Sequence, residues 1–322
     1  MGIGASTAPQ PSTPPAKYYA SIFPGPGIEV DARLALLVGQ LESLLKIPIW
    51  VMVQDGNAQE NFGDIDFAVF KGFRDSCSEM ENRKPLGLLI ESPGGDADCA
   101  YRIVRFFQRR VSHLTVIVPR YAKSAATLMA LVATELIMGR DAELGPLDVQ
   151  MLDPEREEYG SALNAVQSLE RLNAFSMSAV DQLTPMLMRR TGKKVDTILP
   201  LVLNYVTNFV KPLLEKIDAV DYTKKSRELK VAEQYAARLM KARYSWAKAS
   251  SVARSLVEQF PAHSFVIDRD EAMTFEKVGA TETFGLGLSI KKTPSDVESI
   301  LEALVPVLDG LTAIGRLREI TP

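Results

Sequence analysis

Residues 120–138 read Arg120-Tyr-Ala-Lys-Ser-Ala-Ala-Thr-Leu-Met-Ala-Leu-Val-Ala-Thr-Glu-Leu-Ile-Met138. The apolar run Leu114–Pro119 just before them predicts a buried strand, which delivers Ser124 to the first turn of an Ala/Leu/Met-rich helix. Upstream, Leu86-Gly-Leu-Leu-Ile-Glu-Ser-Pro-Gly-Gly95 predicts a second buried strand that ends in a tight turn. A serine at a helix start that faces a Gly-Gly turn suits acyl transfer, because backbone N–H groups from two segments can converge on an oxyanion.

Strands alternate with helices through the first half of the chain. Buried runs such as Ile47–Val53 are separated by segments of helical periodicity such as Asp31–Leu45, and hairpin signals are few. This pattern predicts an α/β fold with βαβ units, a mostly parallel sheet and right-handed crossovers. Ligands of such sheets bind at the carboxyl ends of the strands, where the Gly-Gly turn and Ser124 both fall.

Composition divides the chain into four predicted segments. Residues 1–27 carry six prolines among Ser, Thr, Ala and Gly, which predicts a disordered tail. Residues 28–153 form the α/β core, and residues 154–260 show helical periodicity with few strand signals, which predicts a helical insertion or arm. Residues 261–322 return to the core and end in an amphipathic helix, predicted over Ser295–Leu317.

The totals exclude several classes of function. A net charge of −3 provides no basic excess for nucleic acid. Cys77 and Cys99 lack the spacing of a metal site, and His113 and His263 are the only histidines, so we expect neither a metal nor another cofactor. No nucleotide-binding glycine motif occurs. We expect a cytoplasmic protein, because neither a secretory signal nor an apolar run long enough for a transmembrane segment is evident.

Three ordered blocks resemble the serine dehydrogenase proteinase family, part of the Clp-protease/crotonase superfamily and related to signal peptide peptidase A. The blocks are Ser92-Pro-Gly-Gly95, Lys123–Met138 and Leu144-Gly-Pro-Leu-Asp-Val-Gln150, with a fourth at Pro261–Asp268. Their order and spacing agree over roughly residues 40–153 and again in a short stretch near residues 261–280. The resemblance implies a Clp/crotonase-like ββα spiral with mostly parallel strands, to which this chain adds the helical insertion and a C-terminal helix.

The resemblance implies a nucleophile and an oxyanion hole. Ser124 takes the position of the nucleophile, and the backbone N–H groups of Gly94, Gly95 and Ala125 take the positions of the oxyanion donors. The family's glycine two residues after the nucleophile is replaced by Ala126. Two structural alternatives stay open, in which the glycines form a plain strand-to-helix turn and the serine only caps a buried helix. Leu144-Gly-Pro-Leu is interpreted as a substrate-side strand and turn.

The general base is not fixed by the sequence. Residues 141–192 contain no lysine, although the signal-peptide-peptidase relatives place one there, and the Clp position for histidine holds Leu147 and Asp148. Our hypothesis takes His263 as the base and Asp148 as the group that orients it, in a permuted triad. In the alternative, His263 is a surface or strand-end residue and Asp148 a turn residue. Four other candidate bases are lysines: Lys123, Lys193, Lys194 and Lys211.

Three functions are compared. The leading hypothesis is a cytoplasmic serine hydrolase, an endopeptidase that forms an acyl-enzyme on Ser124. The second is a catalytically silent scaffold or peptide-binding protein, and the third is a crotonase-like acyl-CoA enzyme. The resemblance further implies a peptide or protein substrate and a homo-oligomer, whose contacts we expect in residues 155–260 and in the C-terminal helix.

Overall fold

The computed structural model describes residues 17–21, 28–56, 62–76, 80, 84–153, 158–260, 262–274, 276–278 and 282–320. The chain divides into two compact units. The first takes in Met1–Ala122, Ala133–Ala142 and Ser289–Pro322, and the second takes in Lys123–Val132 and Glu143–Leu288. The Ser124 helix and residues 143–153, which the composition assigns to the core, therefore group with the helical region.

The first unit is built on a seven-stranded sheet. Its strands are β1 (Lys17–Ser21), β2 (Ile28–Val30), β3 (Ile49–Val53), β4 (Pro85–Glu91), β5 (His113–Val118), β7 (Glu135–Met138) and β14 (Ala313–Ile320). The spatial order is β2-β1-β14-β3-β4-β5-β7. β3, β4, β5 and β7 run parallel, whereas β14, β1 and β2 add antiparallel strands at one side. The predicted α/β class with a parallel central sheet is confirmed.

Helices cover both faces of this sheet. They are α1 (Ala32–Leu45), α2 (Phe67–Asp75), α3 (Ala97–Arg110) and α10 (Ser295–Leu308). The side chains of β3 alternate between two layers. Val51 joins the apolar cluster of α1 and α10, whereas Trp50 meets Phe73 of α2 with ring centroids 6.1 Å apart. Phe73 in turn meets Phe107 of α3 at 5.3 Å. The parallel strands are thus buried on both faces, as their continuous apolar runs indicate.

Two segments of the first unit differ from the sequence prediction. Lys17–Ser21 falls in the segment predicted as a disordered tail, yet it forms β1 and pairs with β14 and β2. The predicted C-terminal helix ends at Leu308, after which Gly310 adopts a φ of 65°. Residues 313–320 then form β14, because their backbone groups pair with β3 on one side and β1 on the other. The other residues of the predicted tail, 1–16 and 22–27, lie outside the described residues.

The second unit is mainly helical. Its helices are α4 (Ala125–Ala130), α5 (Ala162–Thr191), α6 (Val195–Leu214), α7 (Ala219–Met240), α8 (Trp246–Glu258) and α9 (Arg269–Met273). Its strands are β8 (Glu143–Leu144), β9 (Gln150–Asp153), β10 (Glu158–Ser161), β11 (Ile267–Asp268), β12 (Glu276–Val278) and β13 (Glu282–Phe284). Antiparallel pairs join β8 to β11, β9 to β10 and β12 to β13. The β9–β10 hairpin was not anticipated by the helical periodicity.

One of the described helices is long and apolar enough to cross a membrane by length and composition alone. It is α6, with a mean hydropathy of 1.2 over its best window, of which 22% is buried. Core helices of ordinary globular proteins meet the same criterion, so this is weak evidence. The absence of a transmembrane segment stays a prediction.

Candidate active site

Ser124 has a strained backbone. It lies between the short strand β6 (Tyr121–Ala122) and α4, with φ 47° and ψ −121°. A residue with a Cβ rarely adopts this backbone conformation, which costs about 1–3 kcal/mol and persists only where the surroundings enforce it. A serine nucleophile on a sharp strand-to-helix turn shows this kind of strain, because the turn pushes the hydroxyl away from the backbone on both sides.

The Ser124 hydroxyl does not cap the helix that follows it. Ser124 is in the N-cap position of α4, but its side chain makes no cap hydrogen bond, and its Oγ has no hydrogen-bond partner among the described residues. The first turn is closed by the backbone instead, since the Ala126 N–H donates to the Lys123 carbonyl at 2.8 Å. Ser124 is partly exposed, whereas every residue of α4 is buried. The geometry does not support the alternative in which Ser124 is only a capping residue.

The Ala125 N–H is available as a donor. Ala125 is the first residue of α4, so its N–H has no acceptor within the helix. No other hydrogen bond from this N–H is found within the described part of the chain. A free N–H next to the nucleophile, at the positive end of a helix, has the chemistry of an oxyanion donor.

Thr127 holds α4 against the segment after β8. Its Oγ1 donates to the Gly145 carbonyl at 2.8 Å and accepts from the Gly145 N–H at 3.0 Å. Thr127 is fully buried. A Cβ on Gly145 would lie 2.7 Å from Lys123 Cδ, so a larger residue at this position would have to displace the flexible Lys123 side chain. Thr127 was not predicted as part of the site, although a threonine inside an otherwise apolar helix is a usable signal.

Lys123 is held in an ion pair. Its Nζ lies 2.6 Å from Glu143 Oε1 and 3.5 Å from the Leu144 carbonyl, and the two side chains are 18% and 26% exposed. An ammonium group paired in this way has no lone pair with which to accept a proton. The geometry therefore does not favour Lys123 as the general base. Lys193, Lys194 and Lys211 are exposed at the two ends of α6.

His263 has an unsatisfied ring nitrogen. Its Nδ1 is buried and has no hydrogen-bond partner among the described residues. His263 lies in a turn four residues before Ile267, which pairs with Leu144 of β8. The strand that follows His263 is therefore tied to the segment that contacts Lys123. The role of His263 as a base stays a prediction.

The Asp148 carboxylate is hydrogen-bonded to the N-terminus of α5. It is 3% exposed, and its Oδ1 accepts a hydrogen bond from the Leu163 N–H at 3.3 Å. This N–H belongs to the first turn of α5, where a carboxylate interacts favourably with the helix dipole. No hydrogen bond joins Asp148 to His263 in the described structure. The observed contact is the structural one, and the orienting role predicted for Asp148 stays a prediction.

The Gly94-Gly95 turn lies in the first unit and uses its two N–H groups differently. The Gly94 N–H donates to Ser92 Oγ at 3.1 Å, and the Ser92 hydroxyl donates to Gln54 Oε1 at 2.8 Å. The Gly95 N–H has no partner among the described residues. A Cβ on Gly95, whose φ is 136°, would lie 2.4 Å from the Ile65 carbonyl oxygen. The Gly95 N–H is therefore a free donor, and position 95 has no room for a Cβ against the backbone of Ile65.

A buried ion pair supports the strand that leads into this turn. Glu91, 1% exposed at the end of β4, binds Arg120, which also binds the exposed Asp309. Burial raises the pKa of Glu91, and the hydrogen bond from Arg120 opposes that rise. Glu91 was not predicted as a functional residue, although a carboxylate at the end of an apolar strand indicates a buried partner.

Within the residues that the structure describes, no group of three or more His, Cys, Asp or Glu side chains could hold a metal ion. The expectation that no cofactor is needed stays a prediction. Among the described residues, the first unit contains the free Gly95 N–H, and the second contains the strained Ser124, the free Ala125 N–H and the unpartnered Nδ1 of His263.

The parallel sheet of the first unit and its covering helices define an α/β protein, and the second unit adds a strained strand-to-helix turn at Ser124. Residues 65–188 match the family model of the ClpP-like SDH-type serine proteinases. The resemblance to the serine dehydrogenase proteinase family and the Clp-like fold class are thereby confirmed for this part of the chain. The matched region contains Ser124, Gly94, Gly95 and Asp148, whereas His263 lies outside it.

Two relatives come from the archaeon Methanocaldococcus jannaschii, and both are described as uncharacterized proteins. MJ0137 is 33% identical over 165 residues, which cover 49% of this chain and 52% of that protein. MJ1495 is 26% identical over 235 residues, which cover 72% of this chain and 61% of that protein. The chain thus spans between about half and three fifths of these relatives.

A solved structure, the 1510-N membrane-bound stomatin-specific protease in a mutant form, is also similar. Its sequence is 17% identical, with a TM-score of 0.30, and the match covers 48% of this chain and 68% of that chain. A TM-score this low transfers no property to this protein.

Proposed function

We propose that this protein is a serine endopeptidase whose nucleophile is Ser124. The observation that carries the proposal is the strained backbone of Ser124 together with its uncapped, partly exposed hydroxyl. A serine kept only for structure would relax its backbone or use its hydroxyl as a cap, and Ser124 does neither. The match of residues 65–188 to a serine proteinase family supports the same class of reaction.

The reaction would follow the acyl-enzyme route. Ser124 Oγ attacks the peptide carbonyl carbon while its proton passes to the base, and the carbonyl oxygen becomes an oxyanion. The C–N bond then breaks, and the proton moves from the base to the departing amine. Water, activated by the same base, hydrolyses the acyl ester and restores the Ser124 hydroxyl. An oxyanion donor contributes about 3–4 kcal/mol to such a step.

Two backbone groups are proposed as oxyanion donors, the N–H groups of Ala125 and Gly95. Each is without a hydrogen bond among the described residues. A parallel bridge inside the first unit joins Ser92 to Ala122, and the Ser92 N–H donates to the Tyr121 carbonyl at 3.3 Å. Ser92 stands three residues before Gly95. Gly94, the other donor implied by the resemblance, uses its N–H in the hydrogen bond to Ser92.

His263 is proposed as the general base. The support is its buried Nδ1, which has no hydrogen-bond partner among the described residues, and the attachment of the next strand, β11, to β8. Lys123 is excluded from the proposal because Glu143 holds its ammonium group. No hydrogen bond from His263 to another described residue is found. This absence also fits the alternative of a catalytically silent scaffold, in which Ser124 has no base. Experiment separates the two.

Labelling with a fluorophosphonate tests the nucleophile. Wild-type protein should be labelled at a single residue, identified as Ser124 by mass spectrometry of the digested adduct. Ser124→Ala should abolish the labelling and the hydrolysis of peptide substrates, whereas Ser245→Ala, which removes a true N-cap serine of α8, should preserve both. Labelling that survives in Ser124→Ala would refute the assignment.

The pH profile tests the base. With His263 as the base, kcat/KM should rise through an apparent pKa near the usual range of histidine, and His263→Gln should remove that limb with a loss of about 100-fold or more. Lys123→Gln provides the matched control, because it removes a neighbour of Ser124 without removing the base. A wild-type protein that is labelled but hydrolyses no peptide would favour the silent scaffold.

The substrate class, the location and the oligomeric state are proposed from the family resemblance. We take the substrate to be a peptide or protein, the location to be the cytoplasm and the active form to be a homo-oligomer, as the resemblance implies. No basic excess favours nucleic acid. Static light scattering and fractionation of cells that express the tagged protein test the last two statements.

A further inference from the structure

Gln54 is a buried amide directly after β3, and its N–H and carbonyl groups are all engaged. Its side chain belongs to a residue that is 1% exposed. The Nε2 group donates to the Phe62 carbonyl at 2.9 Å and to the Asp64 carbonyl at 2.5 Å. The Oε1 atom accepts from the Ser92 hydroxyl at 2.8 Å. An amide is costly to bury unless it is paired, and one with both N–H donors and its oxygen engaged is held in a single orientation.

The first arm of this network reaches the Gly94 N–H. Ser92 is fully buried, and its Oγ accepts a hydrogen bond from the Gly94 N–H at 3.1 Å. Because the Ser92 hydroxyl spends its one proton on Gln54, only its lone pairs face Gly94. Gln54 therefore sets the direction of the hydroxyl, and the hydroxyl holds the N–H side of Gly94.

The second arm reaches the carbonyl side of the same glycine. Gln54 holds two carbonyls of the segment 62–64, and the next residue, Ile65, donates its N–H to the Gly94 carbonyl at 2.7 Å. The Ile65 carbonyl in turn accepts from the Asp96 N–H at 2.7 Å. The backbone at Ile65 is thus bonded on both sides to the glycine turn. Gln54 ties down the segment that delivers it.

The peptide group between Gly94 and Gly95 is aimed by these contacts. Its carbonyl belongs to Gly94 and its N–H to Gly95, and no cis peptide bond occurs among the described residues. In a trans peptide group the C=O and N–H point in opposite directions. Since the Gly94 carbonyl points to the Ile65 N–H, the Gly95 N–H points away from Ile65. The network thereby sets the direction of the one N–H of this turn that has no partner in the described part of the chain.

We infer that Gln54 is a positioning residue that aims the Gly95 N–H at the oxyanion. The inference rests on the proposed function, because it requires an oxyanion to form beside that N–H. Donors that are fixed before the reaction need no reorganisation when negative charge develops, which is why they stabilise the transition state strongly. Gln54 is buried and acts through both sides of Gly94, so it positions the donor without contacting the substrate.

The kinetics of a Gln54→Met variant test the inference. Methionine has a similar length but lacks the amide, so both arms are released. The kcat is expressed per Ser124 that a fluorophosphonate labels at completion, which leaves unfolded protein uncounted. We expect kcat to fall by about 10–100-fold with KM within about twofold, because the oxyanion exists only in the transition state. A peptide boronic acid, whose tetrahedral adduct places an oxygen at the oxyanion position, should bind more weakly by a similar factor.

Two further variants separate positioning from folding. Ser92→Ala releases only the first arm, and its kcat per labelled Ser124 should fall about 10-fold at unchanged KM. Leu41→Ala, in the apolar cluster of α1 and α10, should lower the melting temperature and leave kcat per labelled Ser124 unchanged. If Gln54→Met does not fold, Ser92→Ala decides the inference by itself.

The outcomes distinguish this inference from the proposed function. A labelled, active wild type whose Gln54→Met and Ser92→Ala variants keep its kcat would overturn the inference alone, and the network would be structural. A raised KM at constant kcat would overturn it too, since the effect would lie on substrate binding. In a protein that is labelled but hydrolyses no peptide, the boronic acid affinities replace kcat, and equal affinities reject the inference. A wild type that is neither labelled at Ser124 nor active would overturn both.

Discussion

Replacing Ser124 by alanine and by glycine separates a nucleophile from a capping residue through stability alone. Both substitutions remove the hydroxyl. Alanine keeps the Cβ and therefore keeps the strain of φ 47° and ψ −121°, whereas glycine adopts that conformation freely. Because the Ser124 hydroxyl makes no cap hydrogen bond, Ser124→Ala should change the free energy of unfolding by less than about 0.5 kcal/mol.

The glycine variant should be the more stable of the two. Relief of the strained backbone is worth about 1–3 kcal/mol, and the added freedom of glycine in the unfolded chain costs about 0.5–1 kcal/mol. The difference leaves Ser124→Gly about 0–2.5 kcal/mol more stable than Ser124→Ala. An enzyme that gains stability when its nucleophile is deleted stores strain at its reactive residue.

Urea unfolding followed by circular dichroism measures both effects, provided the slope with urea is the same in all variants. Ser161→Ala is the matched control in the same unit, since the Ser161 hydroxyl accepts from the Asn164 N–H at 3.0 Å and its loss should cost about 1 kcal/mol. A loss of unfolding free energy in Ser124→Ala as large as in the control would contradict the prediction, and so would a Ser124→Gly variant that is less stable than Ser124→Ala.

Three further predictions concern the supports of the site. Thr127→Val should cost about 2–4 kcal/mol in urea unfolding, since it leaves a buried N–H and C=O unpaired, whereas Thr127→Ser should recover most of this. Gly95→Ala should cost about 3 kcal/mol or more, because its Cβ would meet backbone atoms at 2.4 Å, while Gly39→Ala in open space should gain about 0.5–1 kcal/mol; thermal melts compare them. Burial and a hydrogen bond to a carboxylate raise the pKa of Cys99 from 9.0 to about 12, so its alkylation in a Cys77→Ser variant should run roughly 1000-fold below that of a free thiol and rise tenfold per pH unit.

The elements around Ser124 could be predicted because their local pattern and their tertiary environment agree. Ser124 was assigned from a strand followed by an Ala-rich helix, and both elements depend on apolar residues that are close in the chain. β1 and β14 were not predicted, because they pair with each other across about 300 residues of chain. No local pattern contains that information. The short segment Lys17–Ser21 was therefore assigned to its proline-rich surroundings.

The general base was beyond the sequence for a different reason. A proton acceptor is defined by its distance from the nucleophile, and His263 follows Ser124 by a long stretch of helices whose packing no motif specifies. The structure gave information about Asp148 that spacing could not. Its carboxylate accepts from the start of α5, so a residue in a family block is engaged in holding a helix.

The double hydrogen bond from Thr127 has a consequence for the way a polypeptide can be received. An extended peptide often binds by adding a strand to an open sheet edge, where it needs free N–H and C=O groups. In the segment interpreted as the substrate-side strand, Gly145 has both groups occupied by Thr127, and Pro146 has no N–H. The Leu147 N–H is bound to the Leu256 carbonyl at 2.8 Å. The Gly145 and Leu147 N–H groups are therefore not available to pair with an added strand, so a peptide proposed to bind here would depend more on the side chains that border the segment than on backbone donors.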